Sequence, residues 1–186
     1  MSLIDKVVAS VTRSESEESR HEARAKAQSA AAVGDWLSTV LDHHRKIETA
    51  FAEVKAFTTE TARLKAQKRL GVILTGHANA EESVLYPALA GAVDTGDATK
   101  AYAEQATAKT QMALLEKLAP MSQEYLQKLE HIRDAVLHHM YEEEGTWFPE
   151  LREKTSPTDQ ATLTRRYAEE FMRYVGDDAA DFESPQ

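Results

Sequence analysis

The 186-residue chain has no cysteine, and only seven glycines and five prolines. The missing cysteine excludes disulfides, thiolate nucleophiles, Cys-ligated iron–sulfur clusters and thiolate zinc sites. Any metal has to be held by His, carboxylate, amide or water. So little Gly and Pro does not suit a loop-rich β protein. Long apolar runs are missing as well. No stretch approaches the ~18–20 residues of a membrane span, so no membrane partner is expected. The N-terminal MSLIDKVVASVTRSESEES is interrupted by Asp5 and Lys6, where a signal peptide needs ~7–15 continuous apolar residues. A soluble cytoplasmic protein is the expectation. Positive charge is also short. Lys and Arg number 22 against 31 Asp and Glu, a formal net charge of −9, which argues against a nucleic-acid partner. Nucleophile constellations, phosphate-binding Gly loops and dinucleotide fingerprints are absent too.

What the chain does have is helical periodicity. Apolar residues recur at three- and four-residue steps along four long segments. The first, about 35–57, aligns Leu37, Val40, Leu41, His44, Ile47, Phe51 and Val54. The second, about 59–90, aligns Leu64, Leu70, Ile73, Leu74, His77, Glu81 and Val84. Its GVILTG run at 71–76 could pass for a strand, but the helical period continues on both sides. The third, about 97–118, turns Ala101, Ala108, Gln111, Leu114, Leu115 and Leu118 inward and ends before Pro120. The fourth, about 122–153, aligns Leu129, Ile132, Val136, His139, Glu143 and Trp147. Ser156-Pro157 then starts a fifth, shorter helix bearing Leu163, Tyr167, Phe171 and Val175.

The expected fold is all-α: an antiparallel up-down four-helix bundle with short extra helices at both termini. Residues 34–153 form the bundle. Residues 1–33 comprise an amphipathic helix over 1–12, followed by a charged linker or loosely held helix. The apolar face of that first helix suits packing on the body, a dimer contact or a lipid surface, and a homo-oligomer stays open. Residues 154–186 hold the fifth helix and an acidic tail.

The chemistry lies in a repeat. His77-x3-Glu81-Glu82-x3-Tyr86-Pro87 aligns without gaps on His139-x3-Glu143-Glu144-x3-Phe148-Pro149. Composition alone predicts about 3 × 10⁻⁴ copies of this pattern by accident, so two copies mark an ancestral duplication. Residues i and i+4 share a helical face, so each copy aims a His and a carboxylate the same way, and the apolar stripes make that way inward. Buried imidazoles and carboxylates are costly without a compensator, and a cation is the natural one. On the first helix the stripe selects His44 over His43, which is left to solvent or to a supporting role. On the fourth the repeat selects His139 over His138, which can pair with Glu142 one turn on. Glu82 and Glu144 are expected on the bundle flank, solvated or paired with lysine. His131 reads as a surface or supporting residue, and His21 as solvated.

This His, His-x3-Glu, His-x3-Glu succession over roughly 35–153 resembles the hemerythrin-like HHE cation-binding domain family. The resemblance implies a four-helix bundle around a non-haem, usually di-iron, site. It implies His44, His77, Glu81, His139 and Glu143 as metal ligands, with the two carboxylates bridging. Where the family has a third-helix His, alignment on Leu114 and Leu118 puts Gln111, a poorer iron ligand; the alternative is that Gln111 merely packs and another third-helix residue, such as Glu104 seven positions earlier, completes the site. Two iron ions are therefore expected, one of them weak or absent, with zinc as a substitute. Ferritin-like bundles differ, using Glu-x-x-His.

The functional expectation is a protein that binds or reacts with O₂, NO or H₂O₂ in oxygen or redox-stress sensing or handling. Whether it is an enzyme stays open. The alternative is a non-catalytic iron or zinc buffer or regulatory bundle. A phosphorelay bundle would need an exposed His beside Lys and Gly, a setting that His43 and His138 lack.

Overall fold

A computed structural model describes residues 15–176. The helix expected over 1–12 and the acidic tail lie outside the described residues. Among the described residues the regular elements are helical and none is a strand, so the 71–76 run is helix. None of these helices is long and apolar enough to cross a membrane.

Helix α1 (Glu17–Ala30) precedes α2 (Trp36–Ala56) and α3 (Glu60–Ala80). A π turn, Glu81–Leu85, carries α3 directly into α4 (Tyr86–Ala92). Next come α5 (Thr95–Leu115) and α6 (Gln123–Glu142), and a second π turn, Glu143–Trp147, leads α6 into α7 (Phe148–Lys154). Helix α8 (Pro157–Val175) closes the described chain. The bundle consists of α2, α3–α4, α5 and α6–α7. Helix α8 lies along α3 and α2, and α1 lies across the second π turn.

Short polar side chains set the helix starts. Asp35, Ser122 and Ser156 each accept the backbone N–H three residues on, at 2.8, 3.1 and 3.2 Å. Such caps satisfy amides that have no partner within the helix. The Ser156 cap with Pro157 behind it is the start the sequence predicts. The stripe of α2 is buried throughout, as are those of α6 and α8. Trp36 and Phe148 meet edge to face with centroids 5.5 Å apart, and fully burying side chains of this kind is worth roughly 1.5–3 kcal/mol each.

Two residues depart from their expected stripes. Leu64 is exposed, because the buried line of α3 runs through Arg63, Ala66, Gln67 and Leu70. The Arg63 guanidinium turns inward and donates to the carbonyls of Val54, Lys55, Phe57 and Pro120, so it caps the C-terminus of α2. Leu114 is exposed because Leu115, ~100° around the helix, takes the inward place. Of the stretch expected as a charged linker or loosely held helix, Glu17–Ala30 is helix α1, which buries Ala23 and Ala27 against the body.

Candidate metal centre

Each repeat copy places its His in the last turn of an α-helix and its first Glu at the start of a π turn. The cause lies with Pro87 and Pro149. In an unbroken α-helix each ring would press on the carbonyl four residues back and offer it no N–H. The wide turn takes up that misfit, and the helix runs on past each proline instead of ending there. Tyr86 N–H reaches Glu81 O and Phe148 N–H reaches Glu143 O, five residues back. The carbonyls this frees find side chains: Tyr102 donates to Glu82 O at 2.6 Å, and Lys26 to Gly145 O at 2.7 Å. Single π turns of this sort recur at functional sites.

The five residues the repeat and the first helix nominate are all buried. Ligand atoms of His44, His77, Glu81 and Glu143 lie within 4.8 Å of one another. His44 Nε2 is 3.3 Å from Glu143 Oε2, and His77 Nε2 is 3.2 Å from Glu81 Oε1. His139 Nε2 is 3.2 Å from Glu143 Oε1. Each ring turns its other nitrogen outward to a partner. His44 Nδ1 meets Glu144 Oε1 at 2.7 Å, His77 Nδ1 meets the Tyr167 hydroxyl at 2.9 Å, and His139 Nδ1 meets Glu104 Oε2 at 2.8 Å. A ring donating its Nδ1 proton outward presents a bare Nε2 lone pair inward, the arrangement that orients histidines on metals.

The donor set fits a cation. His44 Nε2, Glu81 Oε1 and Glu143 Oε2 are buried and have no hydrogen-bond partner. Three such atoms facing one another would be expensive with nothing between them.

The electrostatics of the metal-free chain say the same. Burial pushes the Glu81 carboxyl well above its usual range, and the neighbouring Glu143 charge adds to this. Burial also opposes charge on His44 and His139, but carboxylates override it. Glu143 and Glu144 hold His44 up at about 9, and Glu143 and Glu104 hold His139 well above its usual value. His77 is driven the other way, by burial and then by the charge on His44. Protons therefore stand in for a cation.

The two sides of the centre differ. On the His139 side the Tyr86 hydroxyl lies 2.9 Å from Glu143 Oε1, 3.0 Å from His139 Nε2 and 3.3 Å from Glu81 Oε2. Gln105 of α5 donates from Nε2 to Glu81 Oε2 at 2.6 Å and also reaches Tyr86. Gln111 is buried, but its Oε1 has no hydrogen-bond partner. The α5 residues bonded to the centre are thus Gln105 and, through His139, Glu104.

Among the supporting residues, Glu144 departs from expectation, while Glu82, His43 and His138 take roles the sequence allows. Glu144 is buried rather than on the flank, shared between His44 and the Arg24 guanidinium of α1 at 2.8 Å. Glu82 does pair with a lysine, Lys109, at 2.8 Å. His43 is buried, stacked on Phe171 with centroids 3.9 Å apart and 3.0 Å from the Tyr167 hydroxyl. That hydroxyl can accept from His77 and donate to His43. Helix α8 comes close enough for this because Gly76 has no side chain. A Cβ there would stand 2.7 Å from Val175 Cγ2. His138 pairs with Glu15 at 2.6 Å and, more loosely, with Glu142 at 3.7 Å. No local spacing could have pointed to Tyr167 or Arg24, 90 and 120 residues from their partners. Tyr86 left a signal: it is the position where the two repeat copies differ by one hydroxyl.

The sequence profile of the hemerythrin HHE cation binding domain matches residues 36–151. A DNA nickase from Nostoc sp. (strain PCC 7120 / SAG 25.82 / UTEX 2576) is 30% identical over 131 residues, which cover 69% of this chain and 35% of that protein. The chain thus spans about a third of that relative's length. No solved structure gives a significant match. The matched residues contain the whole repeat and every buried His and Glu of the centre, and the chain belongs to the hemerythrin HHE cation-binding family.

Proposed function

We propose that the chain binds iron at this centre and exposes it to a small diatomic or peroxide: O₂, NO or H₂O₂. The observation that supports this most is the orientation of three imidazoles. His44, His77 and His139 turn Nε2 toward one carboxylate pair, and each Nδ1 is held from behind. In this reading His44, His77, Glu81 and Glu143 hold the first ion, and Glu143 and His139 face a second, weaker one. The Tyr86 hydroxyl beside His139 is what makes the second place the poorer one. Gln105 takes the role that alignment gives to Gln111. Zinc, which has similar ligand preferences, can occupy the first place. When bound, iron supplies a redox-active centre with room for a diatomic or peroxide. The protein's own part is to orient the ligands, bury them and give up their protons as the ion enters.

The scission named for the Nostoc relative is not part of this reading. The overlap covers 35% of that protein, and a net charge of −9 repels a phosphate backbone. The experiment is anaerobic loading with Fe(II), metal analysis, and an optical spectrum before and after O₂. A new visible band that depends on Glu143 supports the oxidant reading. Bound iron without any spectral response supports a buffer or regulatory bundle instead.

A further inference from the structure

Beside the buried pair His139 and Glu143, helix α6 carries the same spacing one residue earlier, in His138 and Glu142. This outer pair lies about 100° around the helix from the first, off the face that supplies the buried centre. The other repeat copy has Gly76 and Ala80 at the matching places, so the bundle does not require the pair. Glu104 of α5 joins it. One ligand atom each of Glu104, His138 and Glu142 lie within 4.8 Å of one another. The three side chains are each about a fifth exposed, whereas the ligands of the buried centre are closed off. Glu104 and His138 also line a cavity of about 680 Å³ between α3, α5 and α6, so an ion can reach them from solvent.

Each of these side chains is held from behind. His138 Nδ1 meets Glu15 Oε1 at 2.6 Å. With the proton on that nitrogen, Nε2 presents a bare lone pair, 3.7 Å from Glu142 Oε2. Glu142 gives Oε1 to the Lys100 ammonium, while its Oε2 is shut off from water and has no hydrogen-bond partner. Glu104 gives Oε2 to His139 Nδ1 at 2.8 Å and keeps Oε1, with Lys100 3.8 Å away. Donors held about 2.1 Å from one ion stand about 3–4 Å apart, and the separation of His138 Nε2 and Glu142 Oε2 falls within that span. A gap that excludes water still admits a bare ion, which is smaller. Lys100 does not fill the place. It lies against the other oxygen of Glu142 and 5.8 Å over the Trp147 ring. Three carboxylates, Glu15, Glu104 and Glu142, thus gather around one ammonium, and the cluster stays attractive to a cation.

We propose that His138 Nε2, Glu142 Oε2 and Glu104 Oε1 form a second site for a first-row divalent cation such as Mn²⁺, Fe²⁺ or Zn²⁺, outside the buried centre and in exchange with solvent. One imidazole with two carboxylates suits these ions better than Mg²⁺ or Ca²⁺, which take all-oxygen sets. Water completes the coordination on the cavity side. Glu104 then links the two places, because its other oxygen supports His139 of the buried centre. The outer site needs no iron and no oxidant at the buried centre, so it stands independently of the reading above.

The test is titration of the full chain with Mn²⁺ alone, the free ion being counted by electron paramagnetic resonance. The wild type should bind a labile Mn²⁺ that Zn²⁺ displaces and an equal concentration of Mg²⁺ does not. His138→Gln and Glu142→Gln should each weaken it by at least about tenfold. Glu15→Ala removes only the support behind His138 and should weaken it about tenfold. His77→Gln, which lacks a ligand of the buried centre, should keep it. Equal affinity in the wild type and His138→Gln overturns the proposal. Loss of the labile ion in His77→Gln alone assigns it to the buried centre and overturns it too. Anomalous scattering from a Mn²⁺-soaked crystal locates the ion without any variant. A peak between His138 and Glu142 is expected, and a peak at the buried centre alone overturns the site. Dialysis against metal-free buffer strips the outer ion, so the buried centre is counted separately and its failure leaves this titration interpretable.

Discussion

Glu144 holds the outer nitrogen of His44 at 2.7 Å and gives the rest of its carboxylate to Arg24. The preceding residue, Glu143, faces the inner nitrogen of the same ring at 3.3 Å. One imidazole is thus fixed between consecutive glutamates. Glu144→Ala should therefore weaken metal binding about 10- to 100-fold, as losing the support behind a ligand does. Glu82→Ala, at the matching place in the other copy, removes only a lysine pair and should leave affinity unchanged. Competitive metal titration of both variants distinguishes them, and equal losses would mean that Glu144 does not orient His44.

The α5 contribution is separable in the same way. Gln105→His puts an imidazole beside Glu81 and Tyr86 and should raise the metal content from about one toward two ions per chain. Gln111→His should not. Metal analysis after equilibrium dialysis reads both, and a rise with Gln111→His alone would restore the alignment-based assignment.

Metal uptake should expel protons. His44, held at about 9, and His139, held well above its usual value, both carry a proton at neutral pH in the metal-free chain. A ligating imidazole must give that proton up. Affinity should therefore climb as pH rises toward about 9, with at least one proton released per ion at pH 7. Titration in buffers of different ionisation enthalpy measures the release. The metal-free fold follows the opposite course. A base whose pKa is raised on folding stabilises fully below its unfolded value of about 6.5. That contribution is lost as pH passes through about 9.

Stripping the metal should lower the melting temperature. An ion present at 100 times its dissociation constant stabilises the fold by about 2.7 kcal/mol. In a chain of this length that corresponds to a shift of about 5–10 °C. Differential scanning calorimetry of loaded and stripped protein checks this, and coincident curves would point to a peripheral ion.

Two glycines of α3 should respond oppositely to alanine. At Gly71 a Cβ meets nothing within 4 Å, so Gly71→Ala should stabilise by up to about 1 kcal/mol. At Gly76 the new Cβ would stand 2.7 Å from Val175 Cγ2, so Gly76→Ala should cost about 1–3 kcal/mol. It should also pull Tyr167 away from His77. Urea denaturation of the two variants tests the sign of each change.

The sequence made the bundle legible because its stripes are regular. Leu37 to Val54 and Leu129 to Trp147 are buried as the spacing says. His44 could be told from His43 because its neighbours at three and four residues are apolar. What stood behind the ligands was not legible. Glu144 looked lateral because an α-helix turns ~100° per residue, and the π turn that places it was invisible in composition. Arg24 sits in a segment with few apolar residues, so nothing marked α1 as a docked helix. Leu64 and Leu114 misled for a simpler reason: a large apolar residue fits a stripe on paper even when a neighbour fills the inward place.

The two π turns start at the same offset from their histidines and end one residue before an aromatic-proline pair. Such a turn holds one residue more than the α-helical path would need. Two separate insertions landing on the same offset would be a coincidence, whereas a single insertion in the shorter ancestor would be inherited by both halves. Under the duplication that the gapless repeat predicts, the widened turn would be older than the doubling, and a lone helical hairpin would already have carried it.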